Sequence, residues 1–120
     1  MEQERDFILR PAADQKFRAD QGESILKRVM ENQLAGQTYD NNTVEMLSQS
    51  VSEEIRTQLK GLHLPNYKYI VQVTIAEQRG QAANIVSQCF WDSDCDVLVH
   101  HFYDNGSLWS KAVVFAVFHY

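Results

Sequence analysis

The stretch that decides the fold runs from Ala112 to Phe118 and reads Ala-Val-Val-Phe-Ala-Val-Phe. Every position is apolar, so an extended strand here would carry apolar side chains on both of its faces. Such a strand is typical of the centre of a sheet that is covered on both sides. The sequence therefore predicts that residues 108–120 form the central strand of a sheet.

Three further strands are predicted upstream of this one. In residues 69–76 the side chains alternate between two faces with a period of two, and residues 83–91 show the same alternation. Residues 97–103 form the third segment. Asp104-Asn105-Gly106 separates the third strand from the last and is typical of a tight hairpin, because Asn-Gly tolerates positive φ. We expect four antiparallel strands.

Two helices are predicted before the strands. The first begins at Asp20, where Glu23 completes a capping-box pattern, and it ends at Gly36. The second begins with Asn42 as its N-cap and ends at Gly61. The residues at helical spacing, which we expect to be buried, are Ile25, Leu26, Val29, Met30 and Leu34 in the first helix and Leu47, Val51, Ile55, Leu59 and Leu62 in the second.

These elements predict an α+β domain in which two N-terminal helices pack on a four-stranded antiparallel sheet. Two helices cover only one face of such a sheet, so the apolar side chains of the other face require a partner chain. Residues 20–120 form the predicted domain, and residues 1–19 form an N-terminal arm. The arm has no sustained period, but it offers apolar anchor points for docking at Phe7, Ile8, Leu9 and Phe17.

The composition excludes several classes of protein. With 120 residues, 44% of them hydrophobic and 22% charged, the chain has the profile of one globular domain. Acidic residues outnumber basic ones by 16 to 11 and the basic ones are scattered, which disfavours nucleic-acid binding. There is no apolar run long enough to span a membrane, and the first six residues are too polar for a signal peptide. Two cysteines indicate a reducing, cytosolic compartment rather than a disulfide framework.

An acidic triplet, Asp92, Asp94 and Asp96, resembles the opening of a calcium-binding loop. In such a loop the sixth position is glycine and the twelfth is glutamate, whereas this chain has Val97 and Tyr103 there. The triplet is therefore interpreted as an acidic turn between two strands.

Cys89, Cys95, His100 and His101 could supply four zinc ligands in principle. Their spacing does not match the short chelating pairs of structural zinc sites, and adjacent histidines on a strand point to opposite faces. None of the common motifs of hydrolases, metalloproteases or nucleotide-binding enzymes is present. We expect neither a metal nor a cofactor, and an enzyme is disfavoured.

The second predicted strand, residues 83–91, carries no charge. Edge strands are usually protected by charge, so an uncharged one is suited to pairing with another chain, either a sister subunit or a peptide. The alternative is an ordinary strand that is covered within its own monomer.

Several segments in order resemble the signature of Tctex-type dynein light chains. They are Tyr-Lys-Tyr-Ile-Val-Gln-Val at 67–73, Glu-Gln-Arg-Gly-Gln at 77–81, Cys-Phe-Trp-Asp at 89–92, Asn-Gly-Ser-Leu at 105–108 and Phe-His-Tyr at 118–120. The resemblance extends from Phe7 onward. Arg10-Pro11 followed by Lys16-Phe17 is similar to the second Tctex subtype, which is associated mainly with ciliary and flagellar dyneins.

The resemblance implies a dimer in which the second strand is exchanged, and a non-catalytic subunit at the base of a dynein motor. Segments of dynein intermediate chains would add as strands beside the exchanged strand. The subtype favours a heterodimer with another Tctex-type light chain over a homodimer. It also implies a location in the cytoplasm and cytoskeleton, at the axoneme of a cilium or flagellum. A motor-independent adaptor that binds cargo in the same groove is the alternative.

The uncharged strand and the resemblance together predict two sets of site residues. Intermediate chains would bind along the edge formed by Asn84, Ile85, Val86, Ser87, Gln88 and Cys89. The dimer interface would include Phe90, Trp91, Val113, Phe115 and Val117. Alternate residues of the binding strand point to opposite faces, and the sequence leaves open which face meets the peptide.

Overall fold

The computed structural model of the chain describes residues 16–79 and 97–118. Two helices, α1 (Ala19–Leu34) and α2 (Val44–Lys60), are followed by three strands, β1 (Tyr67–Glu77), β2 (Val97–Asp104) and β3 (Leu108–Phe118). The strands form one antiparallel sheet in the order β1-β3-β2. The predicted α+β class is therefore confirmed. Three of the four predicted strands are described, and the second predicted strand, residues 83–91, lies outside the described residues.

The strand β3 is central, as its apolar sequence predicts. Val114 lies opposite Val71 of β1 on one side and opposite Val99 of β2 on the other. All three of these valines are buried. The last strand of the chain thus holds the described sheet together.

Both helices pack on one face of the sheet, α1 mainly over β2 and α2 mainly over β1. The predicted apolar stripes supply the core, since every residue named for the first helix is buried. In the second helix Val51, Ile55 and Leu59 are buried, whereas Leu47 and Leu62 are half-buried against the core.

The predicted start of the first helix is wrong. Its N-cap is Arg18, and Asp20 lies inside the first turn, where its carboxylate accepts a hydrogen bond from the Gln21 N–H at 3.0 Å. Phe17 explains the difference, because its side chain is 0% exposed and fixes where the chain enters the helix. A carboxylate in the first turn still interacts favourably with the helix dipole.

The start of the second helix is also displaced from the predicted one. The N-cap is Thr43 rather than Asn42, and its side chain makes no capping bond. Instead Asp40 organises the turn: its side chain accepts from the Asn42 N–H at 2.9 Å, and its carbonyl accepts from the Thr43 and Val44 N–H groups. A turn centred on an aspartate replaces the predicted N-cap.

The predicted helix ends are confirmed. Gly36 follows α1 with φ +76°, the left-handed conformation that commonly ends helices and favours glycine. The helix α2 ends at Lys60, next to Gly61.

The predicted hairpin at residues 104–106 is confirmed, and the side chain of Asn105 forms hydrogen bonds both within the hairpin and to the end of α1. Its Oδ1 accepts hydrogen bonds from the Ser107 and Leu108 N–H groups, both at 3.0 Å. Its Nδ2 donates to the carbonyls of Leu34 at 2.9 Å and Gln37 at 2.8 Å. One amide therefore ties the hairpin to the end of α1, where helix carbonyls lack partners of their own.

Gly22 lies within α1, against the side chains of Phe17 and of Val99 in β2. A Cβ at this position would lie 2.7 Å from Cζ of Phe17 and 2.9 Å from Cγ2 of Val99. The glycine is required by packing rather than by backbone conformation.

We expect Asn105→Ala to lower the free energy of unfolding by about 2–4 kcal/mol. The change removes four hydrogen bonds of a half-buried side chain, each of which contributes about 0.5–1 kcal/mol net. Urea unfolding of the full chain measures the loss. Asn42→Ala is the matched control and should change the free energy by less than about 0.5 kcal/mol, because Asn42 is exposed. If Asn42→Ala lowered the free energy of unfolding as much as Asn105→Ala, Asn42 would be acting as the N-cap, which would contradict the observed start of α2.

We expect Gly22→Ala to destabilise the fold by about 1–2 kcal/mol, although alanine is the better helix former by about 1 kcal/mol. The added methyl group must displace Phe17 or Val99, and overpacking of this kind costs about 1–3 kcal/mol. Thermal unfolding compared with Ser24→Ala, an exposed position of the same helix, measures the effect. A Gly22→Ala protein that melts at or above the parent temperature would rule out the close contact.

Candidate functional site: the outer face of the sheet

The two faces of the sheet differ in what covers them. The face toward the helices carries the buried side chains of the core. The opposite face, called here the outer face, carries the alternate residues of the three strands, and both helices lie on the other side. Its apolar members are Ile70, Leu98, Phe102, Trp109, Val113, Phe115 and Val117.

The register joins three of these apolar residues into one row across the strands, and the neighbouring rows also carry polar residues such as Gln72 and Lys111. Ile70 lies opposite Phe115, which lies opposite Leu98, so one row crosses all three strands. At the hairpin end the rings of Phe102 and Trp109 stack, with centroids 5.9 Å apart and planes inclined by 23°. Ile70 of β1 is 46% exposed and Phe102 of β2 is 44% exposed, so two large apolar side chains of this face are open to solvent. The outer face thus carries one apolar row and an aromatic pair among polar residues, and exposed apolar side chains grouped in this way often mark an interaction site.

The outer strands of the sheet run parallel to each other, since each is antiparallel to β3. The end of β1, at Glu77, therefore lies at the opposite end of the sheet from the start of β2, at Val97.

The edges of the sheet are β1 and β2. Each is hydrogen-bonded to β3 on one side, and within residues 16–79 and 97–118 no strand pairs with the other side. Edge strands of this kind are where additional strands join a sheet.

The sequence was then compared with known proteins. Residues 16–117 match the Tctex-1 family. The chain belongs to the Tctex-1 family. The resemblance inferred from the sequence motifs is confirmed.

The similar relatives are dynein light chains. The chain is 38% identical to "Dynein light chain Tctex-type protein 2B" of Danio rerio over 114 residues, which are 95% of this chain and 76% of that protein. It is 36% identical to the Homo sapiens protein of the same name over 119 residues, 99% of this chain and 84% of that one. It is 32% identical to "Dynein light chain Tctex-type 4" of Mus musculus over 93% of this chain and 51% of that protein. The greater likeness to type 2B agrees with the predicted second subtype.

Three residues of the predicted dimer interface, Val113, Phe115 and Val117, lie on the outer face of this Tctex-1 family chain. The other two, Phe90 and Trp91, lie outside the described residues, as does the whole predicted binding edge from Asn84 to Cys89. Sequence reasoning did not name Ile70, Leu98, Phe102 and Trp109 as members of the same surface. The period of two in each strand was a usable signal, but the faces can be matched between strands only once the register is known.

The histidines considered as zinc ligands are adjacent in β2 and lie on opposite faces. His100 pairs with Val113 on the outer face and is exposed, and His101 pairs with Ala112 on the helix side and is half-buried. Cys89 and Cys95 lie outside the described residues, as do Asp92, Asp94 and Asp96. Within the described part of the chain, no three His, Cys, Asp or Glu residues are close enough to hold a metal ion. Neither described helix is long and apolar enough to cross a membrane.

Proposed function

We propose that the chain is a non-catalytic light chain of a dynein motor complex that dimerises and binds segments of dynein intermediate chains by β-strand addition. Membership of the Tctex-1 family, together with relatives whose names describe dynein light chains, supports the motor role. The exposed apolar side chains of the outer face, Ile70 and Phe102 among them, support the role of an assembly subunit, because exposed apolar groups that share one face often mark an interaction site. This face is the observation that carries the proposal.

The apolar outer face, which includes Val113, Phe115 and Val117, is proposed to be the dimer interface. It lies on the strands that also form the core, so a partner chain that packs there would complete a second layer on the sheet. The partner is proposed to be another Tctex-type light chain, with a homodimer as the simpler form.

Strand exchange between the two chains is supported by the direction of the strands. β1 ends and β2 begins at opposite ends of the sheet, so an exchanged strand between them would have the return direction, antiparallel to both. The uncharged residues 83–91 lie within this connection. In a dimer they would pair with the exposed edge of the other chain's sheet.

An intermediate-chain segment is proposed to pair with the edge from Asn84 to Cys89. Main-chain hydrogen bonds of an added strand supply affinity, and pockets for alternate side chains supply selectivity. A dimer presents two such edges, so two tethered segments bind with higher avidity than one.

The complex is proposed to be located at the cytoskeleton, in the axonemal or intraflagellar dynein of a cilium or flagellum. The likeness to type 2B light chains supports this placement. Extraction of axonemes followed by purification of dynein heavy chains tests it. Recovery of the light chain apart from heavy chains would instead favour a motor-independent adaptor.

The dimer proposal predicts that Ile70→Asp weakens self-association or heterodimer formation about 10- to 100-fold. A carboxylate placed in an apolar interface is buried without a partner, which costs on the order of 1–3 kcal/mol. Sedimentation of the full chain at micromolar concentration, alone and mixed with a second Tctex-type light chain, measures the change. Met46→Asp is the matched control, because Met46 is 73% exposed on α2 and away from the outer face. A parent chain that remains a folded monomer in both experiments contradicts the dimer.

The binding proposal predicts that at least one of Val86→Asp and Ser87→Glu weakens intermediate-chain binding by on the order of 1–3 kcal/mol. The two residues point to opposite faces of the strand, so one of them faces the groove. Each variant is first shown to keep the dimer mass, and affinity for a dynein intermediate chain is then measured by calorimetry. Gln49→Glu adds the same charge at an exposed position of α2 and should leave affinity unchanged. If both variants bind as tightly as the parent, the groove lies elsewhere and β2 is the next candidate.

A further inference from the structure

The helix α2 overhangs the edge strand β1 along one flank. The hydroxyl of Ser48 lies on this flank and donates to the carbonyl of Val73 in β1 at 3.4 Å. Arg56 and Lys60 lie on the same flank, because each of these three helix residues directly follows a member of the apolar stripe. The last two turns of α2 therefore present two cations beside β1.

A cavity of about 550 Å³ separates this part of α2 from β1. Leu59, Leu64 and Tyr69 give it apolar lining. Its lining includes no residue of α1, β2 or β3, so among the described elements it is bounded by α2, β1 and the loop between them. Because β1 is an edge of the described sheet, the cavity lies beside that edge. A hollow of this size and character can hold side chains of a bound molecule.

The cavity has cations in its lining and no acidic residue, although the chain as a whole has a net charge of −5. Arg56 and Lys60 are exposed, and neither forms an ion pair with a residue that the structure describes. They stand one helical turn apart, where like charges repel each other. Lys68 also lines the cavity, but its side chain lies on the outer face, away from this pair. An anion bound between Arg56 and Lys60 would relieve their repulsion.

The hydrogen bonds of β1 show which of its main-chain groups point out of the sheet. The Gln78 N–H donates to the Ser107 carbonyl at 3.0 Å, in the register that joins β1 to β3. Main-chain groups of a strand point alternately to its two sides, so even-numbered residues of β1 point toward β3 and odd-numbered residues point to the open edge. The bond from Ser48 to the carbonyl of Val73 agrees with this alternation.

Tyr69 and Val71 therefore direct their N–H and C=O groups out of the edge, where no described strand pairs with them. Their side chains lie on the helix side of the sheet, and Tyr69 lines the cavity. In an antiparallel pair, residues directly opposite each other have their side chains on the same face. A strand added at this edge would thus bind the main chain of β1 and place alternate side chains at the cavity.

We infer that the edge of β1 at Tyr69 and Val71 binds an extended acidic segment of a partner protein as an added antiparallel strand. One side chain of the segment is apolar and covers the apolar surface at Leu59. The side chain two positions along is a carboxylate that accepts charge-assisted hydrogen bonds from Arg56 and Lys60.

This edge is separate from the surfaces to which the proposed function gives a role. The bond between Ser48 and Val73 closes the edge beyond Val71, so only a short segment fits there. An exchanged strand of residues 83–91 would then use the edge at β2. The inference goes beyond the proposed function and does not depend on it.

Titration of the isotope-labelled full chain with the peptide Thr-Leu-Thr-Glu-Thr-Leu-Thr, followed by NMR, tests the inference. The amide signals of Tyr69 and Val71 should shift, with a dissociation constant below about 1 mM. Replacing the glutamate of the peptide by lysine should weaken binding about 10-fold or more, because a cation then meets Arg56 and Lys60.

Methylation of single peptide amides tests the strand pairing. N-methylation of the glutamate should weaken binding about 10-fold, since the amide of a residue that points its side chain at the cavity faces β1. N-methylation of the threonine before it is the matched control and should leave the affinity unchanged, because that amide points away from β1.

Two variants of the chain test the cations. Arg56→Glu and Lys60→Glu should each weaken peptide binding about 10-fold. Lys27→Glu makes the same charge change as Lys60→Glu at an exposed position of α1 outside the cavity, and it should leave the affinity unchanged. The altered peptides cover the case in which a charge reversal impairs folding, because they leave the chain itself unaltered.

Three results would overturn the inference. The first is that the signals of Tyr69 and Val71 do not shift at about 1 mM peptide. The second is equal weakening by Lys27→Glu and Lys60→Glu, which would indicate non-specific attraction between charges. The third is that the peptide with N-methylated glutamate binds as tightly as the unmodified peptide, which would indicate binding without strand pairing.

Discussion

The strand β3 donates and accepts main-chain hydrogen bonds on both of its edges and supplies side chains to both faces of the sheet. Toward the helices Leu108, Ala112 and Val114 complete the core, and toward the other side Val113 and Phe115 begin a second apolar layer. The two helices of the chain cover the side chains on only one face of this strand. The division of the molecule into a helix-covered face and an outer face follows from that constraint.

Several of the polar contacts that bridge elements lie at the hairpin end of the sheet. Asn105 joins the hairpin to the end of α1, and Ser107 accepts from the Tyr39 N–H through its Oγ at 2.9 Å and from the Gln78 N–H through its carbonyl at 3.0 Å. These bonds fix the helices relative to the sheet by pairing main-chain groups that lie outside regular structure. Apolar packing thus determines the layers, and the hairpin determines how they are aligned.

Periodicity was sufficient to predict the helices, the central strand and the hairpin, because each is encoded within a short window of sequence. Periodicity and capping patterns did not predict where the helices start. The burial of Phe17 and the turn at Asp40 determine the starts, and a local capping pattern does not include these contacts. Gly22 illustrates the same limit: its small size matters only because Val99, far along the chain, lies against it. The outer face was predicted in part, through Val113, Phe115 and Val117. Its remaining members join it through a register that depends on the whole sheet.

The position of β3 in the chain has a consequence for synthesis on the ribosome. β1 leaves the ribosome about 30 residues before its only described neighbour, a few seconds earlier at about 5–20 residues per second. During that interval its apolar side chains can be sheltered by α2, but its main-chain groups lack β3, the strand with which they pair in the described sheet. The sheet therefore forms only after β3 has emerged, and the unpaired strand is the part of the nascent chain most exposed to aggregation or to capture by a chaperone.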